Sequence, residues 1–245
     1  DESEPPKSKL GEIYQLGRHR VMCGDSTDKA NVELIMNGEK ADMVFTDPPY
    51  FEVAGGFDFT FKSFDDYREM MRDVYRNINS SLKEDSSIYV CLWYKHLFNI
   101  FETLEHSLSP CEYKNLLIWD NTRHRNTTKQ YSNSYEPILF FTKGNPIFDD
   151  SKHLSPYEDE NNYKRYGKSG KSVSDIIDIP NVRQNSEEAA DHPTQKPIAL
   201  IAMTVEISSI QDGIIMDLFL GSGSTLIACE QTDRICYGME LDPKY

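Results

Sequence analysis

The chain has 245 residues, of which 38% are hydrophobic, and a formal net charge of −14 at pH 7. This length fits one domain with an inserted or appended piece, and folding can bury about 70% of the extended surface. No apolar run approaches the roughly 18 residues of a membrane-spanning helix, and the first residues have no secretory pattern. We therefore expect a soluble cytoplasmic protein with no membrane partner.

The net charge and the cysteine spacing limit which kinds of binding site the protein can have. A net charge of −14 argues against non-specific binding of polyanions, which Lys and Arg drive. Residues 121–135 and 163–172 nonetheless carry basic side chains and no acids. The five cysteines are an odd number without the C-x-x-C spacing of zinc or redox sites, so we expect buried, reduced thiols and no metal.

Short apolar runs alternate with helical patterns along the chain, which is typical of a mainly parallel sheet with crossover helices. Residues 1–10 are charged and contain proline, so we expect a disordered tail or linker there. In chain order the predicted elements are strand 21–24, helix 32–36, strand 42–46, a helix after Ser63, strand 87–93, helix 96–108, strands 115–119 and 137–142, a helix with Pro197 at its first position, strand 214–219, helix 225–230 and a last strand ending near Glu240.

Two segments of the chain give the clearest evidence, one for regular structure and one against it. The helix after Ser63 is the clearest, because Ser63 can cap its first turn and apolar residues recur at helical spacing. Residues 145–191, in contrast, are polar with little periodicity, and such a stretch is usually functional or disordered rather than part of the scaffold. The predicted core face of the helix contains Tyr67, Met70, Met71, Val74 and Ile78.

The second predicted strand ends in an acid, two prolines and an aromatic residue, at the place where open α/β sheets have their ligand crevice. The prolines fix the backbone and remove two amide donors, which leaves carbonyl acceptors in a rigid loop. An exocyclic amine offers two hydrogens, of which Asp47 can accept one and the Pro48 carbonyl the other, while Tyr50 stacks on an extruded base. Taken alone, such a sequence is also an ordinary tight turn. The residues are Asp47, Pro48, Pro49 and Tyr50.

A second candidate site is the strand, glycine turn and helix start of residues 217–225. Glycines permit close backbone approach, and amides at a helix start favour a negative group. No Lys follows the second glycine, which excludes a phosphate loop, and Leu226 replaces the third glycine of a dinucleotide loop. Glu240, at the end of the next strand, can accept hydrogen bonds from ribose hydroxyls. The combination predicts a nucleoside cofactor.

In this order the two sites resemble the DNA methyltransferases that methylate exocyclic amines, in the permuted arrangement called the beta group. In that family a D-P-P-Y catalytic motif comes first, a target-recognition region follows, and an F-x-G-x-G cofactor motif comes last. This chain has residues 47–50, then 145–191, then 219–223 in the same order. Residues 192–197 resemble the family segment before the cofactor half, and Asp25 resembles the strand-end acid near the cofactor adenine. The resemblance covers the chain from about Gly11.

The resemblance implies a Rossmann-like α/β fold with a mostly parallel twisted sheet, helices on both faces, circularly permuted motif order, and S-adenosylmethionine as cofactor. It divides the chain into a catalytic half (11–144), a target-recognition insertion (145–191) and a cofactor-binding half (192–245). The implied catalytic residues are Asp47, Pro48, Pro49 and Tyr50. The implied cofactor-binding residues are Asp25, His192, Thr194, Lys196, Asp217, Phe219, Gly221, Ser222, Gly223, Ser224 and Glu240. The DNA-binding candidates are Arg123, His124, Arg125, Lys129, Lys164, Arg165, Lys168 and Lys171.

The expected reaction is methylation of adenine N6 in double-stranded DNA with a flipped base, because D-P-P-Y is typical of the adenine enzymes. Cytosine N4 methylation is an alternative, and so is methylation of RNA or protein, for which N-P-P-Y is more usual. A non-catalytic module that binds a nucleoside cofactor or nucleic acid is an alternative of another class. The sequence ends at Tyr245, directly after the Glu240 strand, so we expect the helix that follows this strand in the family either to lie beyond this sequence or to be replaced by residues before Gly11. A second copy of the chain and a fused or associated N-terminal domain are further partners to expect.

Overall fold

The fold is described from a computed structural model. It covers residues 7–51, 61–122, 127–156, 170–182, 188–189 and 195–245. Within these ranges no helix is both long and apolar enough to cross a membrane. The five cysteines are all buried and free, as predicted.

The described residues form one nine-stranded sheet in the order β1-β2-β9-β8-β3-β4-β6-β5-β7. The neighbours from β2 to β4 in this order are parallel, β1 and β6 run antiparallel to the strands beside them, and β7 is parallel to β5. The strands are β1 Ile13–Leu16, β2 His19–Cys23, β3 Ala41–Thr46, β4 Leu82–Cys91, β5 Glu112–Asp120, β6 Tyr135–Lys143, β7 Ile176–Asp178, β8 Ile214–Asp217 and β9 Ile235–Glu240. The predicted mostly parallel sheet is confirmed.

Helices cover both faces of this sheet, because successive side chains of a strand point to opposite sides. On one face Val44 and Ile88 pack in a core with the first three helices, and on the other Phe45 and Tyr89 pack with the last two. The helices are α1 Lys29–Met36, α2 Phe64–Ser81, α3 Leu97–Leu108, α4 Ile198–Ser208 and α5 Ser224–Gln231, with a 3-10 turn at Tyr94–His96. The fold class expected from the sequence is confirmed.

Helix α2 forms as its sequence predicts. The Ser63 side chain accepts a hydrogen bond from the Asp66 amide at 3.1 Å, which satisfies one of the amides left unpaired at a helix start. Asp65 and Asp66 in the first turn also complement the positive end of the helix dipole. Tyr67, Met71, Val74 and Ile78 are buried, and Met70 is partly buried against the same core.

Two short strands were not predicted, and several element boundaries differ by a few residues from the predicted ones. The strand β1 pairs only with β2 in a hairpin, and its four residues alternate too briefly to give a periodic signal. The three-residue β7 lies inside the stretch 145–191 that the sequence predicts as irregular. Pro197 is the residue before α4 rather than its first helical residue. The strand β8 ends at Asp217, two residues early, because the glycine turn begins there.

The sheet brings the carboxyl ends of β2, β9, β8 and β3 to one edge. These four neighbours are parallel, so the acids at their ends lie in a row in the order Asp25, Glu240, Asp217 and Asp47. The chain leaves β3 toward β4 on one side and leaves β8 toward β9 on the other. The winding therefore reverses between β8 and β3, and such a switch point is where open α/β sheets bind ligands.

Candidate active site

A cavity of about 260 Å³ lies at this switch point, and the two loops singled out from the sequence both line it. The loop after β3 contributes residues 47–50, and the turn after β8 contributes residues 218–222 together with Ser224 and Thr225. Two charged residues from other segments also line the cavity: Glu240 from β9 and Lys196 from the segment before α4. The acid–proline loop, residues 47–50, and the glycine turn, residues 218–223, therefore face one space.

The carboxylate of Asp47 has a donor on each oxygen. The Lys196 ammonium donates to Oδ2 at 2.5 Å, and the Tyr50 hydroxyl donates to Oδ1 at 2.7 Å. The Lys196 side chain is only 6% exposed, so this ammonium has left bulk water and depends on protein partners. It also lies 5.7 Å from the centre of the Tyr50 ring and 5.9 Å from that of Trp119, which adds cation–π attraction.

A second carboxylate, that of Glu136, shares both donors. Its Oε2 lies 3.2 Å from the Lys196 nitrogen and accepts a hydrogen bond from the Tyr50 hydroxyl at 3.3 Å. Glu136 stands at the start of β6, and Asn121 at the end of β5 donates to its other oxygen at 3.4 Å. Sequence reasoning missed Glu136, because only the β3-β4-β6 neighbourhood brings it to Asp47.

Burial and charge set the protonation of this cluster. Burial raises the pKa of Asp47, and the adjacent Lys196 cation opposes that change. Burial lowers the pKa of Lys196, but the carboxylates of Asp47 and Glu136 outweigh it and raise that pKa above its usual value. Burial also raises the pKa of Tyr50 well above its usual value, so its hydroxyl remains a neutral donor. Lys196 is therefore the one cation between two carboxylates within the described cluster.

The glycine turn is held by two acids of the strand ends. Asp217 accepts from the Phe219 amide at 3.0 Å and from the Thr225 hydroxyl at 2.6 Å, so both of its oxygens bond within the turn and the following helix. Glu240 accepts from the Gly221 amide at 2.9 Å, which attaches the turn to β9. Its other oxygen accepts from the Asp242 amide at 2.9 Å.

The backbone of the turn requires glycine at two positions. Gly221 has φ 52° and Gly223 has φ 87°, a region that costs other residues strain. Gly223 is the residue before α5, and Ser224 is the first residue of that helix. The Ser224 hydroxyl is buried, has no hydrogen-bond partner among the described residues, and belongs to a residue that lines the cavity. A buried hydroxyl in this position indicates a polar ligand group, since buried polar atoms are normally paired.

The remaining predicted site residues fall into three groups. Asp25 uses one oxygen to accept from the Thr27 amide and hydroxyl, each at 2.8 Å, while its neighbours Gly24 and Ser26 line the cavity. Lys129 and Lys171 are exposed. Those that lie outside the described residues are His192, Thr194, Arg123, His124, Arg125, Lys164, Arg165 and Lys168. In the described ranges no group of His, Cys, Asp and Glu has the arrangement of a metal site.

Comparison with known proteins identifies the family. A family model described as DNA methylase, of the N6 and N4 methyltransferase type, matches residues 41–245. The chain belongs to this DNA methylase family. The match includes the acid–proline loop, Glu136, Lys196 and the glycine turn.

Individual relatives of the methylase agree with this assignment. The type II methyltransferase M.BglII of Bacillus subtilis is 27% identical over 98% of this chain and 68% of its own length. The DNA adenine methyltransferase YhdJ of Escherichia coli is 26% identical over 84% of this chain and 74% of its own length.

Two solved structures share the fold of the methylase. The complex of M1.HpyAVI with SAM has a TM-score of 0.64 at 23% identity, covering 92% of this chain and 94% of that one. The PvuII cytosine-N4-specific DNA methyltransferase has a TM-score of 0.72 at 17% identity, covering 97% of this chain and 87% of that one.

The buried Asp217 makes the stability of the methylase depend on pH. Burial raises the pKa of Asp217 to about 7, against the opposing hydrogen bonds from Thr225 and Phe219. The folded state thus holds this proton more tightly than the unfolded chain, and that stabilisation is complete below about pH 4 and lost as the pH rises through about 7. From about pH 5 to about pH 7 the free energy of unfolding should fall by about 2 kcal/mol relative to an Asp217→Asn variant.

Urea unfolding of both proteins across this range measures the difference. Asp28→Asn, which replaces one good helix cap by another at the exposed start of α1, serves as the control for loss of a carboxylate. A difference between wild type and Asp217→Asn that stays constant with pH would contradict the raised pKa.

Proposed function

We propose that this chain transfers a methyl group from S-adenosylmethionine to N6 of adenine in double-stranded DNA, with the target base flipped out of the helix. The observation that carries the proposal is that the Asp47 loop and the Gly221 turn line one cavity. One loop offers acceptors for an exocyclic amine, and the other offers the features of a nucleoside site. Methyl transfer requires these two sites to be adjacent, so that the methyl group of the cofactor can reach the amine.

The cofactor half of the cavity suits S-adenosylmethionine. When bound, this molecule supplies an electrophilic methyl group on a positively charged sulfur. The carboxylates along the sheet edge favour that positive charge, and the turn after β8 lets the backbone approach closely. The Glu240 carboxylate already accepts two amide bonds and has two further lone-pair directions for ribose hydroxyls. The Ser224 hydroxyl gives the ligand one more polar partner.

The base half of the cavity suits an exocyclic amine. Asp47 accepts one N–H of the amine, the Pro48 carbonyl accepts the other, and the Tyr50 ring lies against the base. The nitrogen lone pair forms the new bond to the methyl carbon while the carbon–sulfur bond breaks, and the sulfur keeps that electron pair in the departing neutral thioether, S-adenosylhomocysteine. Asp47, whose pKa burial raises, is placed to take the proton that the nitrogen loses. Orientation of this kind contributes roughly 7 to 11 kcal/mol to catalysis in favourable cases.

Adenine is the base we propose, and two observations support it. The chain has D-P-P-Y at residues 47–50, the motif typical of the adenine enzymes it resembles. Among its relatives, YhdJ is named a DNA adenine methyltransferase. Because the likeness to the cytosine-N4-specific PvuII enzyme is at 17% identity, it supports the fold and not the base.

DNA contacts are proposed for the loops at the same edge as the cavity. The strand β5 runs parallel to β4, so the connection after Asp120, which includes the exposed Lys129, leaves the sheet at this edge. We also assign target recognition to residues 145–191, which begin at the opposite edge of the sheet after the antiparallel β6, include the exposed Lys171 and come back to the cavity edge through β7. Since the substrate is DNA and M.BglII and YhdJ come from bacteria, we place the activity in the bacterial cytoplasm.

Labelled methyl transfer followed by nucleoside analysis tests the activity and the base together. The protein is incubated with S-adenosylmethionine carrying a radiolabelled methyl group and with bacterial genomic DNA amplified by PCR, which has no methylated bases. Digestion to nucleosides should place the label in N6-methyladenine. Label in N4-methylcytosine would mean that the target base is cytosine rather than adenine. Absence of label with folded protein would contradict the proposed function.

Asp47→Asn should abolish methyl transfer while leaving cofactor binding nearly unchanged. The amide keeps the shape of the carboxylate but weakens the acceptor for the amine, so we expect a loss in kcat of about 100-fold or more. Calorimetric titration of the variant with S-adenosylmethionine measures its cofactor affinity. The control is Asp42→Asn, since Asp42 is on the same strand and also pairs with a lysine, Lys83 at 2.8 Å, but lies at the opposite end. Equal loss of transfer and of cofactor affinity would refute the role of Asp47.

Gly221→Val should have the opposite profile and abolish cofactor binding. A valine at φ 52° strains the turn and occupies the approach to the cavity. Gly17→Val is a matched control, because Gly17 has φ 59°, lies in the exposed β1–β2 turn and has open space around its Cα hydrogen. If cofactor affinity survives in Gly221→Val, or falls equally in Gly17→Val, the turn is not the cofactor site.

A further inference from the structure

The two donors that occupy Asp47 share a second acceptor. Lys196 and Tyr50 each hold one oxygen of Asp47, at 2.5 Å and 2.7 Å. Both also lie near a single oxygen of Glu136, at 3.2 Å and 3.3 Å. In each case the distance to Asp47 is the shorter one, so Glu136 is the weaker partner of both donors in this arrangement.

This arrangement presents a difficulty for the proposed reaction. Each Asp47 oxygen has one donor and keeps a second lone-pair direction for the target amine, but the ammonium at 2.5 Å offsets the negative charge that makes Asp47 a strong acceptor for the amine and its proton. Displacing Lys196 without another partner would leave an unpaired ammonium on a side chain that is 6% exposed. An unpaired buried charge is strongly destabilising, which would oppose binding of the base.

We propose that Glu136 is a positioning residue that accepts the Lys196 ammonium and the Tyr50 hydroxyl when the target amine binds Asp47. This inference rests on the proposed function and adds a residue to it. The donors need to move by only a fraction of an ångström toward Glu136, because its oxygen is already within reach. Asp47 is thereby released for the amine while every buried donor keeps a partner.

The surroundings leave Glu136 as the acceptor for this exchange. Asn121 holds its Oε1 at 3.4 Å and so fixes the direction of Oε2 toward Lys196. The other titratable groups that act on the cluster are Cys91, Tyr67 and Tyr75, whose pKa values burial raises, and Asp217, whose two oxygens are bonded elsewhere. Among the described groups around the cluster, Glu136 is the carboxylate other than Asp47 that reaches both donors.

The exchange predicts a kinetic effect for Glu136→Gln. The neutral amide oxygen is a weaker acceptor for an ammonium, so Lys196 stays on Asp47 and the amine binds less often. We expect kcat on PCR-amplified genomic DNA to fall by about 10-fold or more, with S-adenosylmethionine affinity unchanged. Glu112→Gln is the matched control, because Glu112 also pairs with a lysine, Lys114 at 2.6 Å, at the far end of the β5–β6 ladder.

The pH dependence of kcat separates this role from a structural one. The negative charge of Glu136 raises the pKa of Asp47, so its removal should move the acid limb of the profile to lower pH. A purely structural defect lowers the rate without moving the limb. A rate equal to wild type, or an unmoved limb, would overturn the inference.

A double-mutant cycle with Lys196→Met tests the shared donor directly. If Glu136 acts by accepting Lys196, the effect of Glu136→Gln should shrink to less than about threefold in the Lys196→Met background. Effects that multiply independently would overturn the inference. If Glu136→Gln does not fold, Glu136→Asp replaces it: this variant keeps the charge but withdraws the oxygen, so kcat should fall with the acid limb in place, and a full wild-type rate would refute the role.

The inference and the proposed function fail in different ways. Absence of methyl transfer by the wild-type protein overturns both. Transfer by the wild type together with an unaffected Glu136→Gln variant overturns the role of Glu136 alone.

Discussion

The buried ammonium of Lys196 is the interaction on which the site depends. Removing an ammonium from water costs several kcal/mol, and this one has its partners in the carboxylates of Asp47 and Glu136. The pair joins the loop after β3 to the segment before α4, which are 149 residues apart in the chain. The ion pair therefore fixes the acid–proline loop relative to the half of the chain that carries the glycine turn. It also gives Asp47 a defined orientation before any ligand binds.

The parallel sheet explains how residues so distant in sequence meet. The four acids at the ends of β2, β9, β8 and β3 are neighbours in space although β9 and β8 come last in the chain. Permuted order changes which loops connect these strands but leaves the edge where they end intact. Which side chains meet at the site therefore depends on which strands are neighbours in the sheet. The order of the motifs along the chain depends only on how loops connect those strands. Asp217 differs from Asp47 in its partners, because its oxygens accept from Phe219 and Thr225 of the turn and the following helix, whereas those of Asp47 accept from Tyr50 and Lys196.

Local sequence patterns predicted the parts of the fold that local physics determines. Helix α2 has a cap at Ser63 and a long apolar face, and both signals belong to neighbouring residues. The D-P-P-Y loop and the glycine turn were likewise recognisable from short motifs, and the sheet placed them on one cavity. The three residues of β7 are too few for periodicity, and their strand exists because β5 offers an open edge. Glu136 gave no signal, since a single acid at the start of an apolar strand acquires its partners from distant segments: the loop after β3, the residue after β5 and the segment before α4.

The hydrogen bonds of the glycine turn have a consequence for the energetics of association. Asp217, Glu240 and the backbone of β9 already hold the turn through Phe219, Gly221 and Leu220, the last by a 2.8 Å bond to the Met239 carbonyl. Folding has thus already ordered this turn, so it loses little further conformational entropy when a nucleoside binds. A rigid receptor loop loses less freedom on complex formation, so more of the contact energy remains as affinity.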